Sequence, residues 1–412
     1  MGAWDLVERG RPRGRDGLWS DRAPGRLTIP RPGAATLVVL GGYAVSRVLA
    51  TGLLLTAWIV SGGVHDAHAT LRAPGGFGGF LTAWDGAWYR RIALHGYPSD
   101  LPVTGGAVQK SVWAFLPAYP AVVRALMSMT SLGYAPAAVT VSVVAGGAAT
   151  VVLHRLLAER FGSRPAMWGA LFFAFGPLGF LFQVAYAESL FLALVFAALL
   201  AVLRGRPLVA MPFGVAAAFT HPGALAVPAA LAAVWVASLV RRRPLPLRTH
   251  LAVVASGLVT AAAGLAWPVV VTLVTGRGDG YVATETAWWR DYIGDAAAVF
   301  RPLTPWFLFA ERLVGGWGVP IVALLLVAVG WCLAFRSRAL GVGIGAFVVA
   351  YVAYLVAVFL PQQSTFRMLL PLSPVLGTPA LSASPRRATA TLVVGIAFQP
   401  IAIWALWVAW PP

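Results

Sequence analysis

A chain of 412 residues with 59% apolar and only 11% charged residues lacks the polar surface that a soluble protein of this size needs, which excludes a soluble enzyme. Its apolar runs recur from residue 35 to the end, so lipid must solvate them; the class expected is an all-α polytopic membrane protein, because a barrel would show short alternating segments. The single cysteine, Cys332, rules out an intramolecular disulfide and a thiolate metal site, and the net charge of +17 has to be judged from where the arginines fall.

Residues 1–34 form an arginine-rich tail, with Arg9, Arg11, Arg13, Arg15, Arg22, Arg26 and Arg31 among glycine and proline, a composition that reads as a disordered cytoplasmic segment. Residues 35–412 read as one transmembrane domain. The apolar stretch Ala35 to Val60 exceeds a signal peptide's h-region of about 7–15 residues and suits a span. Further along, eleven spans are expected near 35–61, 135–154, 166–184, 187–203, 208–220, 223–240, 250–274, 317–335, 340–360, 368–383 and 389–410. The stretch 112–130 is apolar too, but Pro117, Pro120 and Arg124 interrupt it, so an interfacial or re-entrant helix is expected there.

Charge placement tests this count. With 112–130 left out of the membrane, twenty basic residues and five acids fall on the side of the tail, against ten basic residues and nine acids on the other, with Arg47 inside the first span. The positive-inside rule then places the long loops 62–134 and 275–316 on the extracytoplasmic side of a multi-pass cell-membrane protein. The +17 is thereby a topology signal and calls for no nucleic acid.

The first long loop holds the densest pattern: Trp84-Asp85-Gly86-Ala87-Trp88-Tyr89-Arg90-Arg91-Ile92-Ala93-Leu94-His95-Gly96-Tyr97, followed by Trp113-Ala114-Phe115-Leu116-Pro117-Ala118-Tyr119-Pro120. An interfacial helix of nearly three turns is expected from Asp85 to His95, with the acid at its favoured end. Two readings of the motif stand at this point. In one, Asp85 caps the helix and the aromatics form an interfacial belt; in the other, the loop carries chemistry on a substrate whose apolar part lies in lipid. Transporters commonly bury ionisable residues in mid-membrane, whereas this chain gathers its acids at one face.

These segments, with Val184-Ala185-Tyr186-Ala187-Glu188-Ser189-Leu190-Phe191, Val64-His65-Asp66-Ala67-His68 and Ala218-Phe219-Thr220-His221-Pro222-Gly223, resemble the PIG-V family, the second mannosyltransferase of GPI-anchor assembly, with its bacterial relatives. The resemblance covers roughly residues 35–240; farther on, Gln363-Ser364-Thr365-Phe366-Arg367-Met368-Leu369-Leu370-Pro371 is similar to the wider class of polyprenyl-phosphate-sugar transferases. It implies a GT-C-like helical bundle, a polyprenyl-phosphate-mannose donor and transfer at the extracytoplasmic face; the acceptor expected beside it is a glycolipid, glycan or protein, and no cofactor is expected.

An inverting displacement from a lipid phosphate needs one carboxylate to deprotonate the acceptor and cations to hold the departing phosphate. Asp85 and Asp66 are the expected bases. Arg90, Arg91 and Arg367 are expected at the phosphate, because a guanidinium can bind it bidentately. Trp84, Trp88, Tyr89, Glu188 and His221 complete the expected substrate site, although Glu188 equally suits a helix cap and His221 a packing role. His95 reads as a structural partner, and His65, Asp66 and His68 lack the further ligand that a metal site would need. Trp288 and Trp289 suit stacking on sugar or polyprenyl, or interfacial anchoring. The competing classes are a lipid or sugar-lipid transporter, an envelope scaffold, and a GT-C transferase of another polyprenyl-phosphate sugar.

Overall fold

The computed structural model describes residues 33–62, 75–242 and 245–410. The protein is an all-α polytopic membrane protein. Its helices, in chain order, are α1 (Ala34–Val60), α2 (Gly76–Leu81), α3 (Asp85–His95), α4 (Ala118–Thr130), α5 (Tyr134–Phe161), α6 (Ser163–Phe175), α7 (Glu188–Leu203), α8 (Pro207–Ala218) and α9 (Ala226–Val240). They continue as α10 (Leu247–Thr275), α11 (Gly280–Ala287), α12 (Arg290–Ile293), α13 (Thr304–Val314), α14 (Gly318–Leu340), α15 (Val342–Val358), α16 (Thr365–Met368) and α17 (Pro385–Ile403). A two-stranded hairpin, β1 (Val103–Thr104) and β2 (Ala107–Val108), turns at Gly105 and Gly106 between α3 and α4.

Among the described residues six helical stretches are long and apolar enough to cross a bilayer: 34–60, 134–161, 222–240, 247–275, 304–340 and 385–409. Shorter apolar helices, α7, α8 and α15, stand within the bundle. The loop helix expected from Asp85 to His95 has those bounds. The stretch 112–130 is a 3₁₀ turn at Val112–Ala114 followed by α4, which starts after Pro117 and buries Tyr119, Pro120 and Val123 while Arg124 and Ser128 face outward. That one-sided burial is what an interfacial helix requires.

Two expected spans differ. In 166–184, helix α6 ends at Phe175 and the chain turns at Gly176-Pro177 into a 3₁₀ segment, Gly179–Gln183. Proline lacks an N–H, so carbonyls near the break lose helical partners. Arg47 of α1 supplies donors: its Nη2 reaches the Gly179 carbonyl at 2.7 Å and the Ala174 carbonyl at 3.3 Å. The arginine inside the first span therefore has a structural use. In 368–383 no continuous α-helix forms; α16 is followed by 3₁₀ segments Leu370–Gly377 and Pro379–Ser382, broken up by Pro371, Pro374 and Pro379. Apolarity alone does not distinguish such a chain from a spanning helix.

The bundle has two chemically different ends. At one, Arg204 pairs with Glu159 at 2.5 Å, and Arg160 Nε donates to the Ala339 carbonyl at 2.9 Å. At the other, α3, the start of α5, the start of α7, the segment 359–368 and the end of the last helix converge. Trp407 Nε1 donates to the Phe80 carbonyl there, and Tyr134 Oη to the Gly86 carbonyl. Fully buried Tyr119, Tyr186, Phe180, Phe182 and Trp407 fill this end, so the polar groups described next stand on a packed aromatic floor.

Candidate active site

Asp85 enters the site through a constrained turn. Trp84, just before it, has φ 58 and ψ −121, a conformation disfavoured for a residue with a side chain and costing about 1–3 kcal/mol. Surrounding contacts hold it: Trp84 Nε1 donates to the Trp407 carbonyl at 3.2 Å, and Gly86 N and Ala87 N bond to the Ala83 and Trp84 carbonyls. Gly86 faces Ala185, and a Cβ there would lie 3.3 Å from both the Ala185 methyl and its carbonyl oxygen. The missing side chain brings α3 against the segment leading to Glu188, an approach also fixed by Ala185 N donating to the Leu81 carbonyl at 2.9 Å.

Asp85 and Glu188 each open a helix, α3 and α7, where the helix dipole favours an anion. Both are nearly inaccessible, at 8% and 6% exposure. Their common partner is Arg367 of α16, whose Nη1 lies 2.5 Å from Asp85 Oδ2 and 2.8 Å from Glu188 Oε1. Its guanidinium carbon stands 5.0 Å over the Tyr186 ring, a cation–π contact beneath the ion pairs. Burial opposes the charge of Arg367, but Asp85 and Glu188 outweigh it and hold the guanidinium protonated, above its ordinary range.

Polar groups remain unspent around this cluster. Arg367 Nε and the hydroxyls of Tyr186 and Ser189 are buried without a hydrogen-bond partner among the described residues. An arginine with one nitrogen committed to carboxylates and another donor free can hold two anionic groups at once.

The other expected site residues are placed as follows. Trp88 is half-buried, stacked on Phe115 at 5.8 Å and edge-on to Trp288 at 5.4 Å. Tyr89 is buried, its ring against Phe115 and Tyr119, and burial keeps its phenol neutral, well above the usual range. Arg90 is half-buried and Arg91 exposed; neither joins the Arg367 cluster. His95, at the far end of α3, is exposed. Asp66, with His65 and His68, lies outside the described residues.

His221 sits behind the cluster. Its ring stacks on Phe191 at 4.7 Å, its Nδ1 accepts from Gly223 N at 3.0 Å, and its Nε2 lies 3.2 Å from Met368 Sδ. Burial, with the Arg367 charge nearby, pushes the imidazole down to about 3, so it is neutral. Both ring nitrogens are engaged within the protein, and the side chain buttresses the residue next to Arg367.

Two residues that were not among the expected site residues belong to this region. Tyr186 provides the aromatic surface under Arg367. Glu285, on α11, is close enough for the Asp85 charge to act on it. The tract around Glu285 carries no motif, and only the fold relates it to α3.

No protein-family model matches the sequence, and no curated protein does. Among solved structures, the chain is similar to ArnT from Cupriavidus metallidurans bound to undecaprenyl phosphate, with 16% identity, a TM-score of 0.47, and coverage of 85% of this chain and 62% of that one. It is also similar to the archaeal oligosaccharyltransferase AglB from Archaeoglobus fulgidus in complex with an inhibitory peptide and a dolichol-phosphate, with 14% identity, a TM-score of 0.44, and coverage of 88% and 55%. The chain spans less than two thirds of the length of either protein.

Proposed function

We propose that the protein is a GT-C-class glycosyltransferase that moves a sugar, mannose by its motifs, from a polyprenyl-phosphate donor to a hydroxyl acceptor. The observation that carries this reading is the meeting of Asp85 and Glu188 on Arg367. Those three residues come from three of the segments quoted above, Trp84-Asp85-Gly86 and Tyr186-Ala187-Glu188 from the family resemblance and Thr365-Phe366-Arg367 from the likeness to the wider transferase class, although they are far apart in sequence.

In this reading Arg367 offers the donor phosphate its uncommitted Nε and stabilises charge as the C1–phosphate oxygen bond breaks. Asp85 takes the proton of the acceptor hydroxyl as that oxygen attacks C1, and the bonding pair leaves with the lipid phosphate. Glu188 holds Arg367 from the opposite side. Asp66 is the second acid proposed for this work. Trp84, Trp88 and Tyr89 shape the wall, with Arg90 and Arg91 on the same helix available to the anionic head group.

A lipid chain also has a place to lie. Beginning two residues after Arg367, an apolar cleft of about 260 Å³ runs between the end of α6 and the 3₁₀ segment 370–377. Phe172, Leu178, Leu369, Leu372 and Leu376 line it, surfaces suited to an isoprenoid chain. The charge bias supports an outward-facing position for this end of the bundle.

The test is transfer by the purified chain from polyprenyl-phosphate mannose, with the glucose and arabinose analogues in parallel, to acceptors in a membrane extract. Asp85→Asn keeps the size of the side chain but cannot take the proton, so turnover should fall about 10²–10⁴-fold with insertion and donor binding retained. Transfer from another sugar only would correct the donor. Transfer from none of them would overturn the enzyme reading.

A further inference from the structure

The second long loop brings a carboxylate to Asp85. Glu285 lies on α11, and the position of that helix is closely determined: a Cβ on Gly280 would come within 3.1 Å of Leu101 and 3.2 Å of Val271. Thr284 is fully buried, its hydroxyl donating to the Gly280 carbonyl at 2.8 Å. Trp288, just past the helix, packs edge-on against Trp88 at 5.4 Å and against Phe115 at 5.9 Å. Asp85 and Trp88 are three residues apart on α3, and Glu285 and Trp288 are three apart on α11 and its cap. Residues at that spacing share a helix face, so the tryptophan contact turns the two acid-bearing faces toward each other.

The two acids differ in their partners. Asp85 is nearly closed off and held by Arg367, whereas Glu285 is half-buried, bonds to the Tyr281 hydroxyl, and makes no ion pair among the described residues. Of the cations near α11, Lys110 pairs with Asp291 at 2.6 Å and Arg277 with Asp279 at 2.6 Å. Tyr281 on the same helix and Asp85 on α3 are the titratable groups that act on it, and its own charge is felt by Tyr354 on α15. Burial, opposed by the Tyr281 bond and reinforced by Asp85, pushes the Glu285 carboxyl up to about 7.

Sugar transfer with Asp85 as base leaves a proton on a carboxyl that is 8% exposed. That proton must depart before the next turnover. We propose that Glu285 is the proton-release group of this site, taking over from Asp85 the proton that each transfer deposits there and passing it to water. The inference rests on the reading of the site as a sugar transferase with Asp85 as base. The acceptor O–H bond breaks as its oxygen bonds to C1, and the leaving phosphate takes the electron pair of the broken C1–O bond. The proton passes to Asp85, then to the Glu285 carboxylate, then to solvent. Glu285 thus acts through Asp85 and does not touch the sugar.

The full chain in detergent or lipid discs, supplied with polyprenyl-phosphate mannose and acceptor, tests this by comparing the first turnover with the steady rate. Wild-type steady turnover should rise with pH through about 7, because only the ionised Glu285 accepts a proton. In Glu285→Gln that rise should disappear and the steady rate should drop about tenfold or more, with the first turnover within about twofold of wild type. Imidazole in the buffer should restore part of the steady rate, and Glu285→Asp most of it. Equal loss in the first and later turnovers, or an unchanged pH profile, would overturn the proposal by making Glu285 a structural residue or a bystander. If wild type transfers no sugar from a polyprenyl phosphate, the underlying reading fails first, a result distinct from an active wild type with an unaffected variant.

Discussion

Arg367 places one nitrogen between two acid side chains, so a single guanidinium serves both in a nearly closed space. Removing the cation leaves both acids buried and uncompensated, which costs about 3–5 kcal/mol when one member of a buried pair is lost. Arg367→Ala should therefore lower the melting temperature, weaken donor binding and reduce turnover together. Arg367→Met combined with Asp85→Asn and Glu188→Gln removes the stranded charges as well; it should regain stability and remain inactive, as thermal unfolding in detergent alongside the transfer assay would reveal. Unaltered stability in Arg367→Ala would mean that the cluster is open to water. Asp85, Glu188 and Arg367 were legible because each sits in a dense motif, although their contact was not. Glu285 was illegible, since Thr284-Glu285-Thr286 looks like any loop segment until Trp288 beyond it is seen packed on Trp88.

At the scale of elements, α3 is useful because it is held tightly at its first turn. The sequence gives its two ends, with Asp85 as an acid in the first turn and Gly96 just beyond the last. Nothing in the pattern announces the positive φ of Trp84, which depends on Trp407 more than three hundred residues away. Gly86 tests the arrangement. An added Cβ already lies 3.3 Å from Ala185, and valine's two further methyls have no room without moving α3 off the segment that carries Glu188. Gly86→Val should cost about 1–3 kcal/mol and nearly abolish transfer through misplacement of Asp85, while Gly86→Ala should be milder. Activity in Gly86→Val close to wild type would show that α3 tolerates displacement. The stretches 166–184 and 368–383 are broken rather than continuous helices for a related reason: their apolarity suits a span, while Pro177, Pro371, Pro374 and Pro379 deny them continuous helical bonding.

Across the whole molecule, the charge pattern and the site sit at opposite ends of one bundle. Arg160 and Arg204 bind carbonyl and carboxylate partners at the end where α5 and α7 finish, and Asp85, Glu188 and Arg367 meet where α7 begins. Arginine resists translocation, so the arginine-rich end should stay in the cytoplasm and the acid-bearing end should face outward. Cysteine labelling decides this, because Cys332 is the one cysteine of the chain and can be replaced by alanine to give a silent background. Ser99 is exposed in the loop that follows α3, and Ser163 is exposed at the start of α6 at the arginine-rich end. In intact cells a membrane-impermeant thiol reagent should label Ser99→Cys and spare Ser163→Cys until the membrane is opened. The opposite pattern would put Asp85 and Arg367 in the cytoplasm, where an outward-facing lipid-linked donor could not reach them, and the proposed transfer would fall even if the ion cluster proved essential.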